Sequence, residues 1–154
     1  MSVDLTPSGT RGFRVPKVPR LLRKPLYGLL HVLLNRAVRR RGGHLLTLTT
    51  IGAQSGTSHT VPLSWFPDGD NAWLVVASYG GAARHPAWYI NMAKRPDQVW
   101  IELGGRKIKG RPESLKGSER EQAWQRIVAV APQYDQYQQQ TDREIPVVRL
   151  TPAE

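Results

Sequence analysis

The chain has 154 residues, of which 40% are hydrophobic, with five Trp, five Tyr and no Cys. That size fits one domain with a real core, and the missing cysteines exclude disulfides, thiolate metal sites and a cysteine nucleophile. A formal charge of +10, from 22 Lys and Arg against 12 Asp and Glu, favours anionic partners such as nucleic acid, anionic lipid or a polyanionic small molecule.

Residues 1–18 read as an irregular arm, because Pro7, Gly9, Gly12 and Pro16 break any period. The polar start lacks the basic-then-apolar order of a secretion signal, so the expected compartment is the cytoplasm. Residues 19–42 then turn helical: Leu22, Leu26, Leu29, Leu30, Leu33 and Ala37 share one face, and arginines flank it. The apolar run Leu26 to Leu34 is shorter than the ~20 residues a bilayer needs. Three readings of this basic helix stand in order. It docks its leucines on the rest of the domain; it lies peripherally on an anionic membrane surface; or it grips nucleic acid, which ranks last because basic charge without interleaved aromatics is a weak signal.

Residues 43–154 carry short strand-like runs: Leu45–Ile51, His59–Phe66, Trp73–Tyr79, Gln98–Leu103, Arg106–Pro112 and Ile145–Leu150. Their separators, including Pro67-Asp68-Gly69-Asp70 and Gly104-Gly105, signal antiparallel hairpins. A short helix starts at Pro86, which suits a first helical position, and closes before Pro96. Ser118-Glu119-Arg120-Glu121 has capping-box spacing, and the helix it opens puts Trp124, Ile127, Val128 and Ala131 on one stripe. A half-dozen strands with two or three further helices point to an α+β fold built on a small antiparallel barrel.

The chemistry-bearing candidates are few. His31, His44, His59 and His85 have no acids at ligand spacing, so no metal site is assigned. No nucleophile elbow, P-loop or dinucleotide fingerprint is present, which leaves the chemistry to a bound organic cofactor. The segment from Ala77-Ser78-Tyr79-Gly80-Gly81 to Pro86-Ala87-Trp88-Tyr89-Ile90-Asn91 ends an apolar run in a Gly-Gly turn and opens a helix. From the residues alone, Trp88 and Tyr89 fit a core as well as a ligand wall.

That segment, the turn Gly52-Ala53-Gln54-Ser55-Gly56 and the tail Tyr134 to Val148 occur in this order in one family. Over about Leu45 to Leu150 the chain resembles the deazaflavin-dependent nitroreductases, split-barrel reductases that use coenzyme F-420, an 8-hydroxy-5-deazaflavin. The resemblance implies a split β-barrel like that of the FMN-binding reductases, and hydride transfer to a small-molecule acceptor: a quinone, an enone or a nitroaromatic. It also implies a coenzyme groove lined by Gln54, Ser55, His59, Thr60, Val61, Pro62, Leu63, Ser64, Ala77, Ser78, Tyr79, Ala87, Trp88, Tyr89, Ile90, Asn91 and Tyr134. Tyr134 matches the family tyrosine set over the reactive face, and Ser78 and Tyr137 join it as catalytic candidates. The family turn carries Arg and Lys, with another Arg three residues after its second Gly. Ala53, Gln54 and His59 stand there instead, and Arg39, Arg40, Arg41 and Arg84 are the cations left to replace them. Open beside this reading are FMN as the cofactor, a non-catalytic flavin or deazaflavin carrier, and a basic membrane- or nucleic-acid-binding module. Thr141-Asp142-Arg143 is read as a structural Asp–Arg pair that fixes the approach to the last strand.

Overall fold

The computed structural model describes residues 2–14 and 44–153, with the isolated positions 17, 19, 21, 29 and 33. The helix expected over 19–42 lies outside the described residues, apart from Leu21, Leu29 and Leu33, which have helical backbone and exposed side chains.

Among the described residues seven strands form one antiparallel sheet: β1 (Leu45–Ile51), β2 (Ser58–Ser64), β3 (Phe66–Pro67), β4 (Trp73–Val76), β5 (Val99–Leu103), β6 (Arg106–Ser114) and β7 (Val147–Pro152). Their order is β2-β1-β5-β6-β7-β4-β3. The two outermost strands, β2 and β3, are consecutive in the chain and joined by Trp65 alone, so the sheet curls back on itself as a split barrel. Strand β6 bridges its halves. Arg106 to Lys109 pair with β5, and Gly110 to Ser114 pair with β7. At that bend Gly110 leaves room for Ile101, whose Cδ1 would sit 2.7 Å from any Cβ there.

Strand alternation sorts the side chains into two cores. Leu46, Leu48, Val75, Ala77, Val99, Ile101, Val148 and Leu150 fill the barrel, with Val61 and Leu63 packed beside them. The helix α1 (Ala87–Lys94) adds Trp88, Tyr89 and Met92 to the same core. Leu74, Val76 and Val147 point the other way, under α2 (Gly117–Val130) and α3 (Gln133–Gln140). Ala123, Trp124 and Ile127 from α2 close that second core, with Val128, Tyr134 and Tyr137 at its margin.

Several local expectations need correction. Pro86 is the residue before α1, in extended backbone, and its carbonyl accepts the first helical bonds from Tyr89 and Ile90. The capping box does not form: α2 begins at Gly117 after Lys116, and no side chain caps it. Strand β4 stops at Val76, earlier than expected, because the carbonyls of Ala77 and Ser78 turn to Arg143. The Tyr/Gln segment, given no element by its sequence, is the helix α3.

Residues 2–14 of the N-terminal arm are irregular in backbone yet tied down along their length. Val3 is buried in the barrel core. The Tyr89 hydroxyl donates to the carbonyl of Asp4, and the N–H groups of Gly9 and Phe13 donate to Ala83 and Gly81. Asp142 holds the middle of the arm: Oδ1 accepts from the N–H groups of Thr10 at 2.8 Å and Arg11 at 2.9 Å, and Oδ2 from the Thr10 hydroxyl. These bonds pull the Asp142 carboxyl down to about 2 from its ordinary 3.8. Its contribution is therefore complete above pH ~4 and lost as pH falls toward 2. Asp142→Asn is expected to free the arm at neutral pH, read as faster proteolytic cleavage before residue 14 with the barrel left intact.

Candidate functional site

The candidate site follows β2 along its open edge. In the β1–β2 register, Leu46 faces Leu63, Leu48 faces Val61 and Thr50 faces His59, all on the inner row. The outer row pairs Leu45 with Ser64, Thr47 with Pro62 and Thr49 with Thr60, and the Thr49 and Thr60 hydroxyls meet at 3.0 Å. Strand β2 is an edge among the described strands. Residues Ser58 to Thr60 are exposed and Val61 to Ser64 half-buried.

At one end of β2 stands the turn Gly52 to Thr57. It is closed by the Gly52 N–H on the Thr57 carbonyl and the Gly56 N–H on the Gly52 carbonyl. Three polar side chains converge there. The Ser55 and Thr57 hydroxyls are 2.8 Å apart, and Thr57 Oγ1 lies 3.2 Å from His59 Nε2. A Cβ on Gly52 would sit 2.3 Å from the Ser55 hydroxyl and 3.0 Å from His59 Nε2, so only glycine allows this approach. Asn91 anchors the turn to α1, accepting from the Ala53 N–H at 3.0 Å and donating to Thr50 Oγ1 at 3.3 Å. Among the described residues the N–H groups of Gln54 and Ser55 meet no acceptor. Hydroxyls, an imidazole and free N–H groups form a donor set suited to an anionic group.

At the other end stands Tyr134, about 20 Å away at ~3.3 Å per strand residue. It is the second residue of α3, edge-on to Phe66 and to Tyr137, each at 5.7 Å between ring centroids. Burial pushes its phenol above the ordinary value of 10; the Ser64 hydroxyl draws it back in part, and Tyr137 adds to the rise. The side chain is therefore a neutral O–H donor throughout the physiological range.

The third wall is the loop after β4. Ala77 and Ser78 lead into a tight turn, Tyr79–Gly81, in which Tyr79 takes φ +46°. Arg84 lies over the exposed Tyr79 ring, 5.6 Å from its centroid. Gly81 has φ +82°, and its missing Cβ would fall 2.7 Å from the Tyr137 carbonyl, so this loop rests directly on α3. Arg143 holds it from beneath. The residue is 3% exposed, and its guanidinium donates to the carbonyls of Ala82 (2.7 Å), Ala77 (3.1 Å) and Ser78 (2.7 Å). The expected Asp142–Arg143 pair does not exist: Asp142 serves the arm and Arg143 serves the loop.

The structure thus brings Ser64, Tyr134 and Tyr137 together, places Ser78 and Tyr79 on a loop packed against the same helix, and groups Gln54, Ser55 and His59 at the turn. It does not bring every expected side chain to the groove. Val61, Leu63, Ala77, Trp88 and Tyr89 point into the barrel. Tyr89 is fully buried with its hydroxyl on Asp4, so it does not cover a ring. Asn91 is committed to the turn, while Ala87 is exposed at the helix start and Ile90 half-buried.

Comparison with known proteins bears on what this geometry serves. Residues 34–152 match the family model described as F420H(2)-dependent quinone reductase. The chain belongs to that family. Over 132 residues it is 36% identical to an F420H(2)-dependent quinone reductase of Mycobacterium tuberculosis, covering 79% of this chain and 87% of the relative. Among solved structures, an F420-H2 dependent reductase is 36% identical with TM-score 0.61, covering 69% of this chain and 92% of that one. Another, described as a domain-swapped dimer, is 31% identical with TM-score 0.61, covering 82% and 99%. As a member of the quinone reductase family the chain is an oxidoreductase with a split-barrel fold, its cofactor is coenzyme F-420 and its acceptor class is quinone. The donor set at the turn fits an anionic coenzyme, although Ala53, Gln54 and His59 supply no permanent cation. Among the described residues no helix is long and apolar enough to cross a membrane.

The sequence reading missed Arg143 and His85 as members of this architecture. His85 is a lone histidine, and Arg143 sits beside an acid that looked like its partner. Only Gly9 and Gly12, spaced along the arm, hinted at the close backbone approaches made there.

Proposed function

We propose that the open edge of β2 is the coenzyme groove, with the anionic side chain of the coenzyme at the Gly52–Thr57 turn and the ring toward Tyr134. The observation that carries this reading is the pairing of an anion-suited turn with a neutral, half-buried phenol at opposite ends of one edge strand. When bound, reduced deazaflavin supplies a hydride. The chain's part is to orient the acceptor and manage a proton. The Tyr134 hydroxyl donates to the acceptor oxygen and gives up its proton as charge develops there. Ser78 binds the same oxygen, and Tyr137 walls the pocket and excludes water. Such a site recognises a carbonyl or nitro oxygen on a flat conjugated ring, so enones and nitroaromatics join quinones as acceptors.

The compartment proposed is the cytoplasm, with a peripheral position on an anionic membrane face through the basic segment 19–42. Exposed Leu21, Leu29 and Leu33, beside a surplus of arginines, favour that surface over nucleic acid. The direct test is fluorescence titration of the purified protein with oxidised coenzyme F-420 at low and high salt. Saturable binding that salt weakens is expected. No binding at either salt would refute the groove and bring FMN, or a role without deazaflavin, to the front.

A further inference from the structure

The buried Arg143 guanidinium meets no carboxylate among the described residues. Its fourth neighbour is His85, whose Nδ1 lies 3.2 Å from Nη1. A guanidinium only donates, so Nδ1 must present its lone pair. The ring proton then sits on Nε2, which donates to the Thr6 carbonyl at 2.7 Å with the Thr6 hydroxyl at 3.3 Å. A continuous line therefore runs from the arm (Thr6) through His85 and Arg143 to the carbonyls of Ala77, Ser78 and Ala82.

We propose that His85 and Arg143 are positioning residues for the site, through which the N-terminal arm sets the backbone of the Ala77–Ala82 loop, with neutral His85 as the joint. The proposal rests on the reading that this loop walls the coenzyme groove. A second proton on His85 would put an N–H at Nδ1 against the N–H of Arg143, donor against donor and charge against charge. The groups facing the ring are Arg143 from the segment before β7, Tyr89 from α1 with ring centroids 4.8 Å apart, and Thr6 with Pro7 from the arm. Asp4, the nearest acid along the arm, pairs its carboxylate with Lys116 instead.

Protonation of His85 therefore opposes both the arm and the loop. Burial holds the imidazole below its ordinary 6.5; the backbone of Thr6 and Pro7 opposes that, and Arg143 adds to it. The sign is fixed by this direction. Arm and loop are fully seated above pH ~6.5, and the seating weakens as pH falls below it.

The test uses the full chain labelled with 15N. Long-range imidazole spectra from pH 8 to pH 5 are expected to show His85 as the Nε2–H tautomer, titrating below the ordinary histidine value of 6.5. Backbone amides of residues 6–13 and 78–83 should shift with that same midpoint. In parallel, coenzyme affinity by equilibrium dialysis is expected to fall about tenfold across the midpoint in the wild type, with no such step in His85→Gln. An Nδ1–H tautomer, or a His85 titration that leaves residues 78–83 unmoved, would overturn the proposal, even if His85→Gln failed to fold. Absence of coenzyme binding at pH 7.5 with the coupled amide shifts present would instead refute the groove and leave the joint standing.

Discussion

Replacing Arg143 with methionine is expected to destabilise the protein by about 3–5 kcal/mol and lower Tm by about 10 °C or more. The cost comes from what the guanidinium leaves behind. Methionine fills most of the volume but donates nothing, so the carbonyls of Ala77 and Ala82 lose their buried donor, and Ser78 keeps only the Gly81 N–H. Each unsatisfied carbonyl costs about 1–3 kcal/mol. Arg143→Lys keeps the charge without the planar fork and can serve one or two of these acceptors, so it should fall between the two. Urea denaturation of the three proteins is the measurement. A methionine variant within ~1 kcal/mol of wild type would mean that solvent or a shifted loop replaces the guanidinium.

Tyr134→Phe carries the largest expected effect on turnover. Loss of a positioned proton donor typically lowers kcat by about 10²-fold or more, while the ring still packs against Phe66 and Tyr137. Coenzyme affinity should stay within about twofold, because the hydroxyl is assigned to the acceptor and not to the coenzyme. The pH profile adds a second readout. Burial keeps the phenol above its ordinary 10, so the wild-type rate should show no loss from Tyr134 ionisation below that pH. Steady-state kinetics with a soluble quinone decide the matter, and an unchanged kcat would remove Tyr134 from the chemistry.

The barrel was legible because its signals are local. Leu45–Ile51 is a β-prone run of Leu, Thr and Ile that ends at glycine, and the structure reproduces those bounds. The resemblance located the turn, β2 and the aromatic tail. Other features escaped for physical reasons. Helix α3 presents only Tyr134 and Tyr137 as apolar anchors among glutamines, too little for a periodic pattern. Asp142 and Arg143 are adjacent in a non-helical segment, where neighbouring side chains point apart, so proximity in sequence misled. The arm is held mainly through backbone groups, which leave no mark on residue type. The aromatic pair of α1 shows the remaining ambiguity: Trp88 and Tyr89 suited a core or a ligand wall, and burial settled them into the core.

The arm also imposes an order on synthesis. Thr10 and Arg11 are made well before their carboxylate partner Asp142, which follows 132 and 131 positions later. At ~5–20 residues per second on the ribosome, that separation lasts roughly 7–25 s. During that interval the middle of the arm lacks its Asp142 anchor, and the arginine-rich stretch behind it is already available to any anionic surface nearby. A segment made early is thus fully fastened only after the chain has been made through Asp142.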